Sequence, residues 1–247
     1  MSNLTLPILY EDADVVVIDK PAGVMTHADG KSDAPTVADW FAGNYPEAKA
    51  VGEAQRLEGG SEIFRPGIVH RLDTDTSGVL VLAKNQNAYE FLKKAFHDRE
   101  VHKTYLAFVY GVLKEKKGVI DFAIGRSRKN FRLRSAQPKA KGTLRDAVTR
   151  YEVEGVDADH THSLVKAMPE TGRTHQIRVH FKAINHPIVG DKLYAPNHSA
   201  DLGFSRLGLH ALEIDIPLPS GGRKTVTAPI PPDLQIGLDK FGEIGVL

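Results

Sequence analysis

An uninterrupted apolar run, Val79–Ala83, constrains the fold of this chain more than any other segment. A short run of this kind suits a buried strand. The segment just before it, His70–Gly78, is polar and carries Asp73 and Asp75. A loop that delivers a carboxylate at the end of a core strand is rigid, as catalysis requires. The run therefore predicts both a core strand and a candidate site beside it.

Helix and strand signals along the rest of the chain predict an α+β fold around a mixed, mostly antiparallel sheet. One helix opens at Thr36, whose capping-box partner is Asp39. A second is capped by Asn85, and a third begins at Thr174. The inward face of the second helix is predicted to comprise Ala88, Phe91, Leu92, Ala95 and Phe96. Further strands are predicted at Ile8–Tyr10, Val15–Ile18, His102–Leu113, Val119–Ile124, Ala147–Val153, Ser163–Met168, Gly208–Ile216 and Lys224–Ala228.

The size and composition of the chain fit one soluble globular domain. Its 247 residues are 41% hydrophobic and 26% charged, so we expect a single domain over residues 1–247 with its core at about 8–230. The chain has no cysteine, which excludes disulfides, thiolate metal sites and cysteine nucleophiles. No apolar stretch approaches the ~18 residues needed to cross a bilayer, and Met1–Pro7 lacks a signal-peptide pattern. We therefore expect a cytoplasmic protein with no membrane association.

Basic residues are concentrated in one segment, Arg126–Arg150, although the formal net charge of the whole chain is only +1. Asp146 is the only acidic residue of this segment, and Phe131 lies inside it. A basic stripe with an aromatic residue is typical of a surface that binds a nucleic-acid backbone. The same residues also suit a solvated loop or edge strand, where lysine and arginine discourage aggregation. The charge pattern alone leaves both interpretations open.

Four residues of metal-ligand type, Asp157, Asp159, His160 and His162, lie between two predicted strands. Such residues at close spacing also form ordinary turns through local hydrogen bonds. Because no helix or further partner fixes a ligand geometry, we predict a turn here and no metal site.

The loop His70–Gly78 leaves its chemistry open when its residues are considered alone. Asp73 and Asp75 suit the paired carboxylates that glycosidases use, or Asp75 and its neighbours close a turn by local hydrogen bonds. Ser77 lies outside a nucleophile-elbow sequence. Further along the chain, Arg173 lies near a predicted helix start, where the helix dipole disfavours a cation. Either a nearby carboxylate such as Asp73 compensates, or the arginine is solvated.

Four motifs in register resemble those of the RluA family of pseudouridine synthases. Gly67–Gly78 contains His-Arg-Leu-Asp, and Thr171–Asp191 contains Gly-Arg-Thr-His-Gln. Two shorter matches, Asp19–Gly23 and Lys103–Ala107, fall in the family's order. Together they cover nearly the whole chain, and four ordered motifs are far more specific than any one of them.

The resemblance implies the pseudouridine synthase fold, with a central catalytic cleft and flanking helices, and it implies roles for four residues. Asp73 matches the catalytic aspartate of the family, and Arg173 matches the arginine that pairs with it. Tyr105 matches the tyrosine that lies against the target base, and Arg71 the arginine that fills the gap left by the flipped base. Asp73 could serve as nucleophile or as base. No cofactor is implied.

The substrate implied is structured RNA, as a stem-loop of ribosomal RNA or tRNA, bound by a monomer. We expect a compact member of the family, without the small N-terminal RNA-binding extension that many relatives carry. The residues predicted to bind RNA are Arg71, Arg128, Lys129, Arg132 and Arg134. Two other classes stay open: a non-catalytic RNA-binding protein that keeps the fold, and a hydrolase that uses Asp73 with Asp75.

Overall fold

The computed structural model describes residues 4–28, 30, 32–56, 62–127, 133–136, 140–199 and 201–242. The chain divides into two compact units, one comprising residues 1–101 and 213–229 and the other residues 102–212 and 230–247. This division does not decide between one domain and two, so the single-domain expectation stays a prediction. Within the described ranges, no helix is both long and apolar enough to span a membrane.

Strands and helices alternate along the described chain, as the α+β prediction requires. In order, they are β1 (Ile8–Glu11), β2 (Val15–Lys20), α1 (Val37–Asn44), β3 (Ala54–Arg56), β4 (Glu62–Phe64), β5 (Ser77–Ala83), α2 (Gln86–His97), β6 (His102–Tyr110), β7 (Lys117–Asp121), β8 (Ile124–Ser127), β9 (Arg134–Ala136), β10 (Ala140–Arg145), β11 (Val148–Val156), β12 (His162–Pro169), α3 (Gln176–Ala183), β13 (Leu209–Pro217), β14 (Arg223–Thr227) and α4 (Pro232–Leu238). Two short 3-10 helices lie at Pro46–Ala48 and Asp239–Phe241.

In the first unit, β1, β2 and β5 pair antiparallel in that order, and the end of β13 pairs with β14. All of β5 is buried, as predicted for Val79–Ala83. The predicted caps are confirmed, because Thr36 and Asp39 form the capping box of α1, and Asn85 accepts a hydrogen bond at the start of α2. The prediction for Phe91 is wrong: it is 39% exposed, since it lies at the border of the apolar stripe of α2.

In the second unit, β6, β12, β11 and β7 form an antiparallel sheet. One face packs against α3 through an apolar cluster that includes Ile177 and Phe181. Residues of the other face, among them Phe108, join a second cluster with Leu234 of α4. The predicted strand Val119–Ile124 is wrong, because β7 pairs with β11 while β8 begins a separate sheet.

This separate sheet is small and has the order β10-β8-β9. Ile124 and Ala136 pack with Val179 of α3 in a third apolar cluster, together with Tyr194. The small sheet is therefore attached to the same helix that covers the larger sheet of this unit.

Candidate active site

The loop that carries Asp73 lies immediately before β5 in the first unit. The main-chain N–H of Thr76 donates to the carbonyl oxygen of Asp73 at 3.1 Å, which closes a turn. Leu72 and Thr76 are buried, whereas Asp73 is half-buried and Asp75 is exposed. The carboxylate of Asp73 is therefore presented from a fixed main chain, and that of Asp75 faces solvent.

A buried lysine supports this loop. Lys20 is fully buried, and its ammonium donates to three main-chain carbonyl oxygens. These belong to Pro21 (3.0 Å), Val24 (2.7 Å) and Thr74 (3.1 Å). An ammonium has three N–H donors, which matches the number of these acceptors. The N–H of Gly23 donates to the same Thr74 oxygen at 2.8 Å, so two donors hold the residue that follows the candidate aspartate.

Thr26 and His27 add further hydrogen bonds to the loop. The hydroxyl of Thr26 donates to the carbonyl oxygen of Leu72 at 2.9 Å, and the N–H of Leu72 donates back to that hydroxyl at 3.3 Å. His27 Nδ1 lies 2.9 Å from the carbonyl oxygen of Ala28, which leaves Nε2 to accept from Arg71 at 3.2 Å. Because Arg71 is exposed, its guanidinium is oriented by one contact while it faces solvent.

His70, the first residue of the His-Arg-Leu-Asp sequence, has a structural role. Its Nε2 accepts from the N–H of Val81 in β5 at 3.0 Å. Its ring stacks on Phe96 of α2 with the centroids 4.6 Å apart. The start of the loop is thereby attached to the strand and the helix that follow it.

In the second unit, the loop that carries Arg173 connects β12 to α3 and is held by one buried amide. Gln176 Oε1 accepts from the N–H of Arg173 at 3.0 Å and from the hydroxyl of Thr171 at 2.7 Å. Gln176 Nε2 donates to two oxygen atoms of β11 at 2.9 and 3.0 Å. The half-buried Arg173 side chain donates from Nε to the carbonyl oxygen of Asp146 at 3.0 Å.

His175 precedes α3 in a left-handed conformation, with φ of 57°. Such a conformation costs a non-glycine residue about 1–3 kcal/mol and is concentrated at functional sites. The predicted helix start at Thr174 is wrong by two residues, because a left-handed residue cannot continue an α-helix. His175 Nδ1 lies 2.8 Å from the hydroxyl of Tyr194, which also accepts from the N–H of Arg134 at 3.0 Å.

Tyr105 lies in β6 opposite Ala167 of β12, half-buried against the apolar cluster that packs on α3. Lys103 lies two residues earlier, so its side chain shares the face of Tyr105. Burial lowers the pKa of Lys103 to about 8. A buried lysine with a shifted pKa is a candidate for a functional role. The sequence marks Lys103 only as part of a motif, because its burial depends on tertiary packing.

The three predicted catalytic residues come from separate segments. Asp73 belongs to the first unit, whereas Tyr105 and Arg173 belong to the second. A carboxylate can attack a carbon or accept a proton, a guanidinium binds an anion through a planar fork, and a phenol ring stacks on a base. These three groups are sufficient for chemistry at a nucleoside without a bound cofactor.

The described structure contains two of the residues predicted to bind RNA. Arg71 lies in the loop of the first unit, and Arg134 begins β9 in the second. Arg128, Lys129 and Arg132 lie outside the described residues.

The predicted turn at Asp157–His162 is confirmed. The carboxylate of Asp157 accepts hydrogen bonds from the N–H groups of Thr161 and His162 and from the hydroxyl of Thr161. Burial raises the pKa of Asp157, but the hydrogen bonds from His162 and Thr161 outweigh it and lower that pKa to about 2. In the described part of the chain, no group of three or more His, Asp or Glu side chains is arranged to hold a metal ion.

Known proteins resemble the chain over most of its length. Residues 14–183 match the family model described as RNA pseudouridylate synthase. An uncharacterised RNA pseudouridine synthase of Mycobacterium bovis is 41% identical over 236 residues, which cover 94% of this chain and 72% of that protein. Ribosomal large subunit pseudouridine synthase D of Borreliella burgdorferi is 35% identical over 240 residues, which cover 97% of this chain and 70% of that protein.

A solved structure agrees with these sequence matches. The human protein RNA Pseudouridylate Synthase Domain Containing 1 is similar with a TM-score of 0.72 and 30% identity, over 93% of this chain and 86% of that chain. This similarity confirms the predicted fold class. The chain belongs to the RluA family of RNA pseudouridine synthases, which are isomerases that act on RNA.

Proposed function

We propose that this protein converts a specific uridine to pseudouridine in ribosomal RNA or tRNA, with Asp73 as the catalytic carboxylate and no cofactor. The observation that carries the proposal is the support of the Asp73 loop. Lys20, Gly23 and Thr26 hold it by hydrogen bonds to the residues on both sides of Asp73. Catalytic groups need such fixed positions, because small displacements cost large factors in rate.

The reaction is an isomerisation that balances without an oxidant or a reductant. The bond between N1 of uracil and C1′ of ribose breaks, the uracil rotates, and a bond forms between C5 and C1′. The hydrogen leaves C5, and N1 gains a proton. Asp73 serves either as the nucleophile at C1′ or as the base at the ribose 2′ position.

The other predicted residues have complementary roles in this proposal. Arg173 pairs with Asp73 and holds its carboxylate in a fixed plane, as a guanidinium fork does. Tyr105 stacks on the target uracil. Arg71 fills the space that the base leaves when it is extruded, an opening that costs a few kcal/mol in a stacked strand.

The proposed substrate is a local RNA element, a stem-loop, bound by a monomer in the cytoplasm. Bases in loops and distorted stems are easier to extrude than bases in a regular duplex. The chain is similar to a protein named for the ribosomal large subunit, which supports ribosomal RNA as one of the two substrate classes.

The test is to incubate purified protein with unmodified transcripts of ribosomal RNA and of tRNAs, and to map pseudouridine by chemical labelling and primer extension. We expect pseudouridine at one or a few uridines, including in a minimal hairpin around each. Release of free uracil would indicate the hydrolase, and binding without any change in the RNA would indicate the non-catalytic protein. Modification that fails on every hairpin would contradict local recognition.

A further inference from the structure

Strand pairing in the small sheet brings three cations into one row. β8 lies between β9 and β10. Arg126 of β8 is directly opposite Arg134 of β9 and directly opposite Lys141 of β10. Residues directly opposite each other in an antiparallel pair share a face, with their Cβ atoms about 4.5–5.5 Å apart. Arg134, Arg126 and Lys141, which we call the basic row, therefore cross the three strands at intervals of about 5 Å.

The basic row lies on the sheet face that packs against α3. Ile124 is two residues before Arg126, and Ala136 is two residues after Arg134, so strand alternation places all four on one face. Ile124 and Ala136 are buried with Val179 of α3. Two residues of the basic row are exposed and the third is half-buried. The face therefore changes, along the strands, from apolar residues that pack with α3 to cations that reach solvent.

The basic row carries a cost that strand protection does not explain. Like charges directly opposite each other destabilise a sheet, and within the described residues neither Arg134 nor Lys141 has an ion-pair partner. Cations on β9 and β10 could protect the edges of the small sheet from aggregation. Arg126, however, lies on the central strand, which has no free edge. A cost of this kind, retained without local compensation, is typical of a binding surface.

We propose that the basic row binds consecutive phosphates of the substrate RNA, with the RNA backbone running across β9, β8 and β10. This rests on the proposed function, which supplies RNA as the partner. Guanidinium groups bind phosphate through paired hydrogen bonds, and lysine binds it as a point charge. An acidic protein segment would satisfy the same charges, but the family to which the chain belongs acts on RNA.

Two hydrogen bonds connect the basic row to the loop of Arg173 within the second unit. The N–H of Arg134 donates to the Tyr194 hydroxyl at 3.0 Å, and that hydroxyl lies 2.8 Å from Nδ1 of His175. His175 is the residue from which α3 begins. A phosphate bound at the row is therefore held at a fixed position relative to Arg173.

The test compares two variants that lose the same charge. The row variant combines Arg126→Gln, Arg134→Gln and Lys141→Gln. The matched control combines Lys49→Gln, Lys114→Gln and Lys116→Gln, all at exposed lysines. Affinity for an unmodified tRNA transcript is measured between 50 and 200 mM salt. Each lost phosphate contact should reduce the log–log salt slope by about 0.7–0.9, so the affinity of the row variant should fall roughly 20- to 40-fold less than that of the wild type over this range.

The outcomes separate this proposal from the proposed function. Phosphate contacts carry no sequence information, so the binding measurement does not depend on whether the transcript is modified. A row variant with the salt slope of the control would overturn the phosphate contacts, even if the wild type makes pseudouridine. If the wild type makes none, a reduced slope in the row variant would still support them. Thermal unfolding guards against misfolding: the row variant should be at least as stable as the wild type, because like-charge repulsion is removed. Binding of the row to an acidic peptide but not to RNA would also contradict the proposal.

Discussion

The loop around Asp73 and the small sheet with the basic row use polar groups in opposite ways. In the loop, the buried Lys20 donates to main-chain carbonyl oxygens, and Thr26 both donates to and accepts from Leu72. In the small sheet, like charges lie side by side and face outward. The loop is built for position, whereas the sheet is built for charge. Catalysis and RNA affinity should therefore depend on different residues and respond to different changes.

The largest effect is expected for Asp73→Asn, which should separate these two properties completely. The amide keeps the shape of the side chain but can neither attack carbon nor accept a proton as a carboxylate does. We expect turnover to fall by about 10²–10⁴-fold or more, with RNA affinity within about twofold of the wild type because phosphate contacts dominate it. Single-turnover kinetics and filter binding with one transcript measure both. A normal rate in this variant would remove Asp73 from the chemistry.

A smaller effect on the same property is expected for Arg173→Lys. Lysine keeps the charge but not the planar fork that holds a carboxylate in a fixed plane. The rate constant should fall by roughly 10- to 100-fold, a loss of about 1.4–2.8 kcal/mol in transition-state stabilisation. Arg150→Lys, at an exposed position on β11, is the matched control and should keep the wild-type rate. Near-normal activity of Arg173→Lys would show that Arg173 does not position the carboxylate.

Tyr105 should contribute to both properties, so it tests whether they are fully separable. Tyr105→Phe should lose activity while it keeps most of the stacking on the base. Tyr105→Leu should lose both, because base–aromatic stacking is worth ~1–3 kcal/mol per base. Rate constants and dissociation constants of the two variants decide the matter. Equal behaviour of the two variants would indicate that Tyr105 only packs against the core.

The smallest effect is expected for Lys103, and it concerns stability. The pKa of Lys103 is lowered by burial from 10.5 to about 8, so between those values the unfolded chain binds more protons and stability rises with pH. Lys103→Met should therefore stabilise the protein at pH 7, by about 1 kcal/mol, and this gain should shrink as the pH approaches 10.5. Urea unfolding at pH 7 and pH 10 measures it, with Lys114→Met as the exposed control. A Met variant that is less stable at pH 7 would contradict the burial cost.

Local signals in the sequence predicted the parts of the fold that depend on local physics. Thr36 and Asn85 cap their helices because capping bonds join residues three positions apart. The start of α3 could not be found in this way. It depends on the left-handed His175 and on Gln176, whose amide is satisfied by atoms of distant segments.

The same distinction applies to the site. The motifs identified Asp73, Tyr105 and Arg173, but not the support that Lys20 gives to the loop, because full burial of a lysine is set by tertiary packing. The basic segment was visible as composition alone. Its arrangement as a row depends on strand register, since the pairing of β8 with β9 and with β10 decides which cations lie side by side.

The most direct test of the central claim is genetic complementation in the host. The gene is deleted, pseudouridines are mapped across all stable RNAs, and the strain is complemented with the wild type or with Asp73→Asn at equal protein levels. We predict that one or a few pseudouridines in ribosomal RNA or tRNA disappear on deletion, return with the wild type and stay absent with Asp73→Asn. Return of those pseudouridines with Asp73→Asn, or a deletion strain that keeps every pseudouridine, would contradict the account.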